Sequence, residues 1–221
     1  GSVLRYRFAA RGAAPGLQRT RVFSTRVAGW RAADESMLAV EGDIPQIVEG
    51  SVEVLDDGER IRAVRFALPL ADGERVTGFG ERYDALDHRG ASLDSVVFEQ
   101  YKSQGAHRRT YLPMPFAHVV GGDGWGFHVR TSRRVRFDIG ETDPSRLVVE
   151  AEVDAPSDAV GALGLALYSG DPVALLHAFL GETGRPTELP DWVHGLWASG
   201  NEWNTQAEVE RQMALHREHR I

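Results

Sequence analysis

The chain has 221 residues, of which 42% are hydrophobic and 26% charged, and its formal net charge is −7 at pH 7. This composition is ordinary for a globular protein, and the length gives room for one large all-β domain or for two smaller units. The negative charge argues against a general binder of nucleic acid or of anionic membranes, because such binders present a basic surface. Two local arginine pairs, Arg108-Arg109 and Arg133-Arg134, are interpreted as solvated strand edges.

Cysteine is absent from the chain, which excludes disulfide bonds and thiolate metal sites within it. No stretch of about 18 apolar residues occurs, so the sequence predicts no membrane-spanning helix. We expect a cytoplasmic protein, with secretion as the alternative, because Gly1-Ser2 resembles the scar of a removed tag and a leader could have been trimmed. The histidines show no metal-ligand spacing, so we expect no metal and no cofactor.

From residue 3 to about residue 168, hydrophobic and polar residues alternate with a period close to two. Turn signals separate the short runs at intervals of roughly 8–12 residues. Examples are the apolar positions Val135, Phe137 and Ile139 and the turn signals Asp56-Asp57-Gly58 and Asp143-Pro144-Ser145. Short alternating strands at this spacing predict one large antiparallel β-sandwich.

The pattern changes at Asp171, a plausible N-cap, which precedes Pro172 at the first helical position. An apolar stripe with helical period follows, and two glycines then predict the end of the helix. The stripe is Val173, Leu175, Leu176, Phe179 and Leu180, and the glycines are Gly181 and Gly184. The proline-containing segment 185–190 is predicted to be an extended linker. We therefore place a domain boundary near Pro186, between a β-sandwich domain (1–185) and a second unit (186–221).

Residues 194–198 are predicted to be a buried strand, and Thr205 with Glu208 has the pattern of a capping box for a helix to about Glu218. A strand followed by a crossover helix is the repeating unit of a parallel sheet or (β/α)8 barrel, and one unit cannot close a barrel. The predicted fold is mainly β: a large antiparallel β-sandwich, a linker, and the first βα unit of a (β/α)8 barrel. We expect the chain to be the front part of a longer protein.

Four segments, in this order and spacing, carry a family resemblance. They are Gly78–Gly90 (GFGERYDALDHRG), Tyr111–Phe116 (YLPMPF), Gly124–Val129 (GWGFHV) and Leu189–Trp197 (LPDWVHGLW). Together they resemble glycoside hydrolase family 31, the retaining α-glucosidases and α-xylosidases, over residues 75–221. The resemblance implies that the longer protein is a glycosidase that hydrolyses α-linked sugars.

The segment Gly78–Gly90 combines two closely spaced glycines with several charged side chains. A tight turn explains Gly78 and Gly80, and Tyr83 stands where a dinucleotide-binding fingerprint needs its third glycine. The charged side chains are Glu81, Arg82, Asp84 and Asp87. They are predicted to form a buried, salt-bridged corner, with contact to substrate as the alternative.

The segment 97–105 starts as a strand and ends in a polar loop punctuated by Gly105. It offers a carboxylate, an amide and an ammonium group, which are groups that bind sugar hydroxyls. The family resemblance implies that a sandwich loop at this position reaches over the barrel mouth. Glu99, Gln100 and Lys102 are therefore predicted to bind substrate, and the alternative is a solvated hairpin.

The segment 199–204 follows the predicted barrel strand, at the end where barrel enzymes place their functional groups. The resemblance implies an aromatic-rich turn that borders the sugar pocket. Asn201 and Trp203 are predicted to bind substrate, although Asn201 stands where many α-glucosidases have an aromatic residue. The alternative for Trp203 is a core position between strand and helix.

The resemblance also implies a double displacement by two carboxylates, a nucleophile and an acid/base. These groups come from later barrel strands of the family, so no catalytic residue is assigned in this chain, and the chain alone is predicted to be inactive. The expected partner is a carbohydrate substrate rather than nucleic acid or a membrane, and homo-oligomerisation of the longer protein is left open. The alternative reading is a non-catalytic carbohydrate-binding or structural β-sandwich module.

Overall fold

The computed structural model describes residues 2–11, 17–42, 44–99 and 106–221. The chain divides into two compact units, Gly1–Thr183 and Gly184–Ile221. Within the described residues, the first unit contains strands β1 to β15 and helix α1, and the second contains helix α2. The elements are β1 Ser2–Tyr6, β2 Ala9–Arg11, β3 Leu17–Arg19, β4 Phe23–Val27, β5 Gly29–Ala32, β6 Leu38–Glu41, β7 Glu53–Asp56, β8 Arg60–Pro69, β9 Arg75–Gly80, β10 Ala91–Ser95, β11 Pro113–Val120, β12 Trp125–Arg130, β13 Val135–Ile139, β14 Arg146–Pro156, β15 Leu163–Ser169, α1 Pro172–Thr183 and α2 Gln206–His219.

The strands of the first unit form two large sheets and two short two-stranded sheets. The six-stranded sheet has the order β10-β13-β14-β8-β7-β5, and the five-stranded sheet has the order β6-β15-β12-β11-β9. Buried side chains of both sheets belong to one hydrophobic cluster, so the sheets form a sandwich with a shared core. The prediction of a mainly β, sandwich-like domain is confirmed. One pair, β15 with β6, is parallel, which departs from the fully antiparallel expectation.

Alternation along each strand decides which side chains enter this core. On β13, Val135, Phe137 and Ile139 are at most 1% exposed, whereas Arg136 between them faces solvent. Phe137 packs against Phe79 of the five-stranded sheet with ring centroids 4.7 Å apart. Burial of one such ring stabilises the fold by roughly 1.5–3 kcal/mol, so these cross-sheet contacts hold the two layers together.

A hairpin turn at residues 121–124 joins β11 to β12. Trp125 begins β12, and its indole Nε1 donates to the Glu74 carboxylate at 3.0 Å. The other Glu74 oxygen accepts from the Ala71 backbone N–H at 2.7 Å. Glu74 is 6% exposed, and these two bonds supply the partners that a buried carboxylate needs.

Gly78 and Gly80 lie in strand β9 rather than in a tight turn. Their φ angles are +126° and +86°, a region that favours glycine. A Cβ at Gly80 would lie 2.0 Å from the Leu112 carbonyl oxygen, and one at Gly78 would lie 2.8 Å from the Phe116 carbonyl oxygen. The explanation by a tight turn was therefore wrong: the glycines allow β11 to approach the backbone of β9 closely.

Helix α1 begins as the sequence predicts, because the Asp171 carboxylate accepts from the Val173 and Ala174 backbone N–H groups. It runs through Gly181 and ends before Gly184, whose φ is +92°. The predicted apolar stripe is only partly buried, since Leu175 and Phe179 are its buried members. Phe179 stacks on Phe116 of β11 with centroids 4.0 Å apart, which places the helix against the outer face of the five-stranded sheet.

Glu182 ties the last turn of α1 to the same sheet. Its carboxylate accepts from Arg130 Nε at 2.7 Å and from the Tyr168 hydroxyl, and it contacts His128 Nδ1 at 3.1 Å. The hydrogen bond from Arg130 lowers the pKa of Glu182 to about 2, and Tyr168 and His128 add to this against the opposing effect of burial. Glu182 is therefore ionised at every pH at which the protein is expected to work.

In the second unit, Asp191–His194 form a 3₁₀ turn, and segment 195–200 pairs with no strand of the described residues. The buried strand predicted at 194–198 is therefore wrong: Leu196 and Trp197 are each 68% exposed. A parallel strand is stabilised by hydrogen bonds to strands on its flanks, and the described residues of this unit include no such neighbour. The Trp197 indole instead donates to the Val193 carbonyl oxygen at 2.8 Å.

The helix predicted after Thr205 is confirmed as α2. The Thr205 hydroxyl accepts from the Glu208 backbone N–H at 3.2 Å, as an N-cap does. The reciprocal half of the capping box is replaced, because the Glu208 carboxylate accepts from Arg211 and Gln212. In the part of the chain that the structure describes, no helix combines the length and the apolar character needed to cross a bilayer.

We predict that Glu182→Gln destabilises the first unit at pH 7 by roughly 1.5–3 kcal/mol, the range for hydrogen bonds to a charged group. The pKa of Glu182 in the folded state, about 2, is below its unfolded value near 4.3, so this contribution is complete above that value and is lost as the pH falls towards 2. Chemical denaturation at pH 7 and at about pH 3 should show a smaller difference from wild type at the lower pH. The exposed Glu188→Gln serves as control, and a difference independent of pH would contradict the assignment.

Candidate functional site

The base of the polar loop predicted to bind substrate is described on both sides. Val97 and Thr110 form an isolated parallel bridge, and the Phe98 backbone N–H donates to the Thr110 carbonyl oxygen at 3.0 Å. Thr110 is fully buried. The two ends of the loop are therefore held together by backbone hydrogen bonds on a buried support.

Asp94, near the end of β10 and beside this end of the loop, accepts hydrogen bonds from two arginines. Arg134 donates two hydrogen bonds to the Asp94 carboxylate at 2.7 and 2.6 Å, and Arg109 Nε donates at 2.8 Å. Burial opposes ionisation of Asp94, but the hydrogen bonds from Arg134 and Arg109 outweigh it and hold the pKa of Asp94 below its usual value. The interpretation of both arginine pairs as solvated edges is therefore wrong for these two members, which pair with Asp94 on a half-buried face.

Arg109 also lies over an aromatic ring at the entry of the loop. Its guanidinium carbon is 5.1 Å from the Phe98 ring centroid, and His107 meets Phe98 edge-on at 5.6 Å. A guanidinium over an aromatic face is attracted to the ring's quadrupole. Phe98, His107 and Arg109 thus connect the two described sides of the loop.

Arg82 connects the corner to the loop base. Its Nε donates to the Phe79 carbonyl oxygen at 3.1 Å, and one Nη donates to the Arg108 carbonyl oxygen at 3.0 Å. The Asp94 backbone N–H also donates to the Arg108 carbonyl oxygen. Burial lowers the pKa of Arg82, partly offset by Asp84, and the other Nη has no hydrogen-bond partner among the described residues.

The prediction of a buried, salt-bridged corner was therefore wrong about which residues pair with one another. Glu81 and Asp84 are exposed and form no ion pair within the described residues, whereas Asp87 pairs with Arg75 and accepts from the Val76 backbone N–H. Arg82 was expected to need carboxylate partners, but backbone carbonyls take that role. Sequence spacing does not reveal such bonds, because the Arg108 carbonyl is 26 positions away.

Of the predicted loop residues, Glu99 is exposed at the end of the described segment. Gln100 and Lys102 lie outside the described residues. Beside the loop base, the outer face of the six-stranded sheet forms a groove of about 640 Å³. Its walls include Asp94, His107, Arg108, Arg136 and Glu150. These side chains combine hydrogen-bond donors and acceptors, as recognition of sugar hydroxyls requires.

Trp203 and Asn201 lie in the turn that precedes α2. Trp203 is half-buried, its ring meets His216 edge-on at 6.4 Å, and its backbone N–H donates to the Gly200 carbonyl oxygen. A Cβ at Gly200 would lie 2.7 Å from the Trp203 ring, so the glycine lets the turn close over the indole. Asn201 is exposed. Trp203, His216 and Arg217 line an apolar hollow of about 300 Å³.

A second aromatic pair in this unit was not predicted as a site. Trp192 and Trp197 are each 68% exposed, and their rings lie 5.8 Å apart. Two tryptophans within a six-residue segment indicate such a pair in the sequence. The prediction of a buried strand at 194–198 favoured burial of this segment instead of exposure. Exposed indoles of this kind suit stacking on a sugar ring or packing against further protein. Among the described residues, no group of His, Cys, Asp and Glu side chains could hold a metal ion.

Residues 19–138 match the family model described as the glycosyl hydrolase 31 N-terminal galactose mutarotase-like domain. The chain belongs to glycoside hydrolase family 31. The fold agrees with this assignment, since the matched residues include strands of both sheets of the sandwich. The resemblance to this family is thereby confirmed, and three of the four segments, all but Leu189–Trp197, lie within the matched residues.

Two relatives of the chain match it over different lengths. It is 55% identical to the 1,3-alpha-isomaltosidase of Kribbella flavida over 185 residues, which is 77% of this chain and 24% of that protein. It is 34% identical to the isomaltosyltransferase of Sporosarcina globispora over 137 residues, which is 62% of this chain and 12% of that protein.

The fold is also similar to a solved structure, the cycloalternan-degrading enzyme from Trueperella pyogenes in complex with a covalent intermediate. The TM-score is 0.83 at 42% identity, and the match covers 98% of this chain and 29% of that one. The chain therefore spans less than a third of the length of each of these three relatives.

We predict that Asp94→Asn lowers the free energy of unfolding by roughly 2–3 kcal/mol. This is below the 3–5 kcal/mol typical of a fully buried pair because the two arginines are about a third exposed. The variant leaves Arg109 and Arg134 without their shared charge. Urea denaturation at pH 7 measures the effect, and the exposed Asp84→Asn should stay close to wild type. Equal stability of the two variants would refute the role of Asp94 as the anchor of the loop base.

Proposed function

We propose that the chain is the N-terminal part of a longer glycosidase that acts on α-linked glucose oligosaccharides. The observation that carries this proposal is the 55% identity to a 1,3-alpha-isomaltosidase over 185 residues. The substrate class follows from the relatives, whose names refer to isomaltosyl groups and to cycloalternan. The preferred substrate is then an oligosaccharide that presents an isomaltosyl unit in α-1,3 linkage.

The mechanism we propose is retaining double displacement. A covalent glycosyl-enzyme intermediate is the feature that separates retaining from inverting glycosidases, and the structure of the Trueperella pyogenes enzyme was solved with a covalent intermediate. The nucleophile and the acid/base belong to the part of the longer protein that follows residue 221. Within the 221 residues the proposal assigns no catalytic residue, so the chain alone is inactive.

Residues 186–221 are proposed to be the linker and the start of a catalytic (β/α)8 barrel, and residues 1–185 the sandwich domain. Support comes from the coverage of the similar structure: a match over 98% of this chain leaves almost no residue of the second unit without a counterpart. In the longer protein, segment 194–200 would have neighbouring chain to contact. Its exposed Leu196 and Trp197 provide apolar surface for that contact.

The sugar-binding residues we propose come from both units. Glu99, Gln100 and Lys102 supply a carboxylate, an amide and an ammonium group from the sandwich loop, whose base is held by the bonds described above. Asn201 supplies an amide and Trp203 an indole face from the turn before α2. Sugars are bound by this combination of hydrogen-bonding groups with an aromatic platform.

The experiment that tests the function is an assay of the purified full-length protein. We expect release of isomaltose from an α-1,3-linked isomaltosyl substrate, slower turnover of aryl α-xyloside, and no turnover of aryl β-glucoside. Proton NMR of the first product should show the α-anomer, as double displacement requires. Release of free isomaltose, rather than attachment of the isomaltosyl group to a second sugar, would distinguish hydrolysis from the transfer reaction of the isomaltosyltransferase relative. Release of the β-anomer, or no activity on any α-glucoside, would contradict the proposal.

In the full-length protein, Trp203→Ala, Asn201→Ala and the double variant Glu99→Ala/Gln100→Ala should each lower kcat/KM. A contact at the edge of a pocket supplies on the order of 1–3 kcal/mol, which corresponds to roughly 5- to 150-fold. The matched controls are the exposed Glu188→Ala and His219→Ala, which should keep wild-type kinetics and thermal stability. Wild-type kinetics for all three site variants would place both segments outside the pocket.

A further inference from the structure

The first four strands form one long hairpin that stands apart from the sandwich core. We call residues 2–11 and 17–27 the N-terminal ribbon. Ser2 pairs with Val27 and Tyr6 with Phe23 in β1 and β4, and β2 with β3 continue the hairpin. The Phe8 backbone connects the two parts through hydrogen bonds with Thr20. An isolated two-stranded ribbon is only marginally stable in water, so this one requires a covering surface.

One face of the ribbon is apolar and exposed. Side chains of directly paired residues lie on the same face, which places Leu4 beside Thr25 and Tyr6 beside Phe23. The Tyr6 ring stacks on Phe23 at 5.6 Å, and Phe8 meets both rings edge-on at 6.0 Å. Leu4 is 53% exposed and Phe8 63% exposed. A contiguous exposed aromatic patch of this kind marks an interaction surface.

The ribbon is also strongly basic, whereas the rest of the chain is acidic. The ribbon contains six arginines and residues 1–33 contain seven, and neither range contains an Asp or Glu. The whole chain has 25 basic and 32 acidic residues, so residues 34–221 hold 18 basic against 32 acidic side chains and carry a net charge of −14. Two ribbons packed face to face would bring like charges together, which costs affinity. The complementary surface is therefore an acidic one, and the remainder of the chain itself is acidic.

A surface with matching chemistry lies beside strand β6. This edge groove has a volume of about 420 Å³, and the described residues that line it include no Lys or Arg. Its walls include Glu35, Val40, Pro45, Ile47, Glu49 and Leu167. β6 is the terminal strand of its sheet, so one of its sides has no neighbouring strand within the described residues. Apolar walls with two carboxylates suit the apolar ribbon face, on which the Arg21 guanidinium lies over the Phe23 ring.

Connectivity places the ribbon and the edge groove at the same edge of the sandwich. The ribbon continues directly into β5, which is the terminal strand of the six-stranded sheet, and β5 is joined to β6 by the short segment 33–37. A two-fold axis beside this edge would bring each ribbon to the groove of the other copy. We propose that the N-terminal ribbon docks into the edge groove of a second copy of this chain, so that the protein forms a dimer by reciprocal exchange.

The first test is sedimentation velocity of the full-length protein over a concentration series. We expect a dimer that weakens at high salt, because exposed charges are screened. Tyr6→Ser/Phe8→Ser should raise the dissociation constant by about tenfold or more. Leu4→Ser and Val3→Ser form a matched pair: the residues are adjacent and 53% and 50% exposed, but lie on opposite faces. Only Leu4→Ser should weaken the dimer, and all variants should keep the wild-type far-UV circular dichroism spectrum.

The second test identifies the acceptor. Glu35→Lys/Glu49→Lys should weaken the dimer as strongly as the ribbon variant. Phe8→Cys protein mixed with Gln46→Cys protein should be cross-linked by a short bismaleimide, whereas neither variant should be cross-linked alone. A monomer at every concentration, a wild-type dimer in Tyr6→Ser/Phe8→Ser, or cross-linking of Phe8→Cys to itself would each overturn the proposal. These outcomes do not depend on glycosidase activity.

Discussion

Phe79 connects the core of the sandwich to the corner beside the candidate loop, and its backbone conformation serves both. Its φ of +64° lies in the left-handed region, which costs a non-glycine residue of order 1–3 kcal/mol. The ring is fully buried against Phe127 and Phe137, and burial of a phenylalanine contributes roughly 1.5–3 kcal/mol. Packing between the sheets therefore offsets the strain. The same backbone conformation presents the Phe79 carbonyl to Arg82.

From Phe79 a continuous series of contacts reaches the loop base. Arg82 bonds the carbonyl oxygens of Phe79 and Arg108, and the Arg108 carbonyl also receives the Asp94 backbone N–H. Asp94 in turn holds Arg109 and Arg134. Binding loops work best when a rigid scaffold fixes their ends. The sandwich supplies such a scaffold for the two described ends of the loop, at Phe98 and at Arg108.

Charged side chains on the outer face of the six-stranded sheet contribute less to the stability of the fold. Glu150 on β14 pairs with Arg65 on β8 and with Arg136 on β13. These are cross-strand pairs on neighbouring strands, and solvent-exposed pairs contribute at most about 1 kcal/mol each. They keep the outer face polar and set its pattern of donors and acceptors. Stability rests instead on the inner face, and on the Glu182 cluster that attaches α1.

Much of the fold follows from local sequence patterns. The alternation of apolar residues on β13, the cap of α1 at Asp171 and the cap of α2 at Thr205 are all effects of residues within a few positions of one another. Such effects act on a short segment by itself, so a sequence shows them directly. The ordered motifs of residues 78–129 indicated the family for the same reason: each records a short stretch of backbone that the fold requires.

The rest depended on residues that are distant in the sequence. Arg134 meets Asp94 across 40 positions, and no local pattern distinguishes that arginine from a solvated one. Gly80 is glycine because the backbone near Leu112 approaches it, and segment 194–198 is not a strand because the described residues give it no neighbour to pair with. The sequence by itself determined the periodicity, the caps and the family. Tertiary structure alone decided the partners of charges, the close backbone approaches and strand pairing, because each of these requires a second segment of chain that only folding brings into contact.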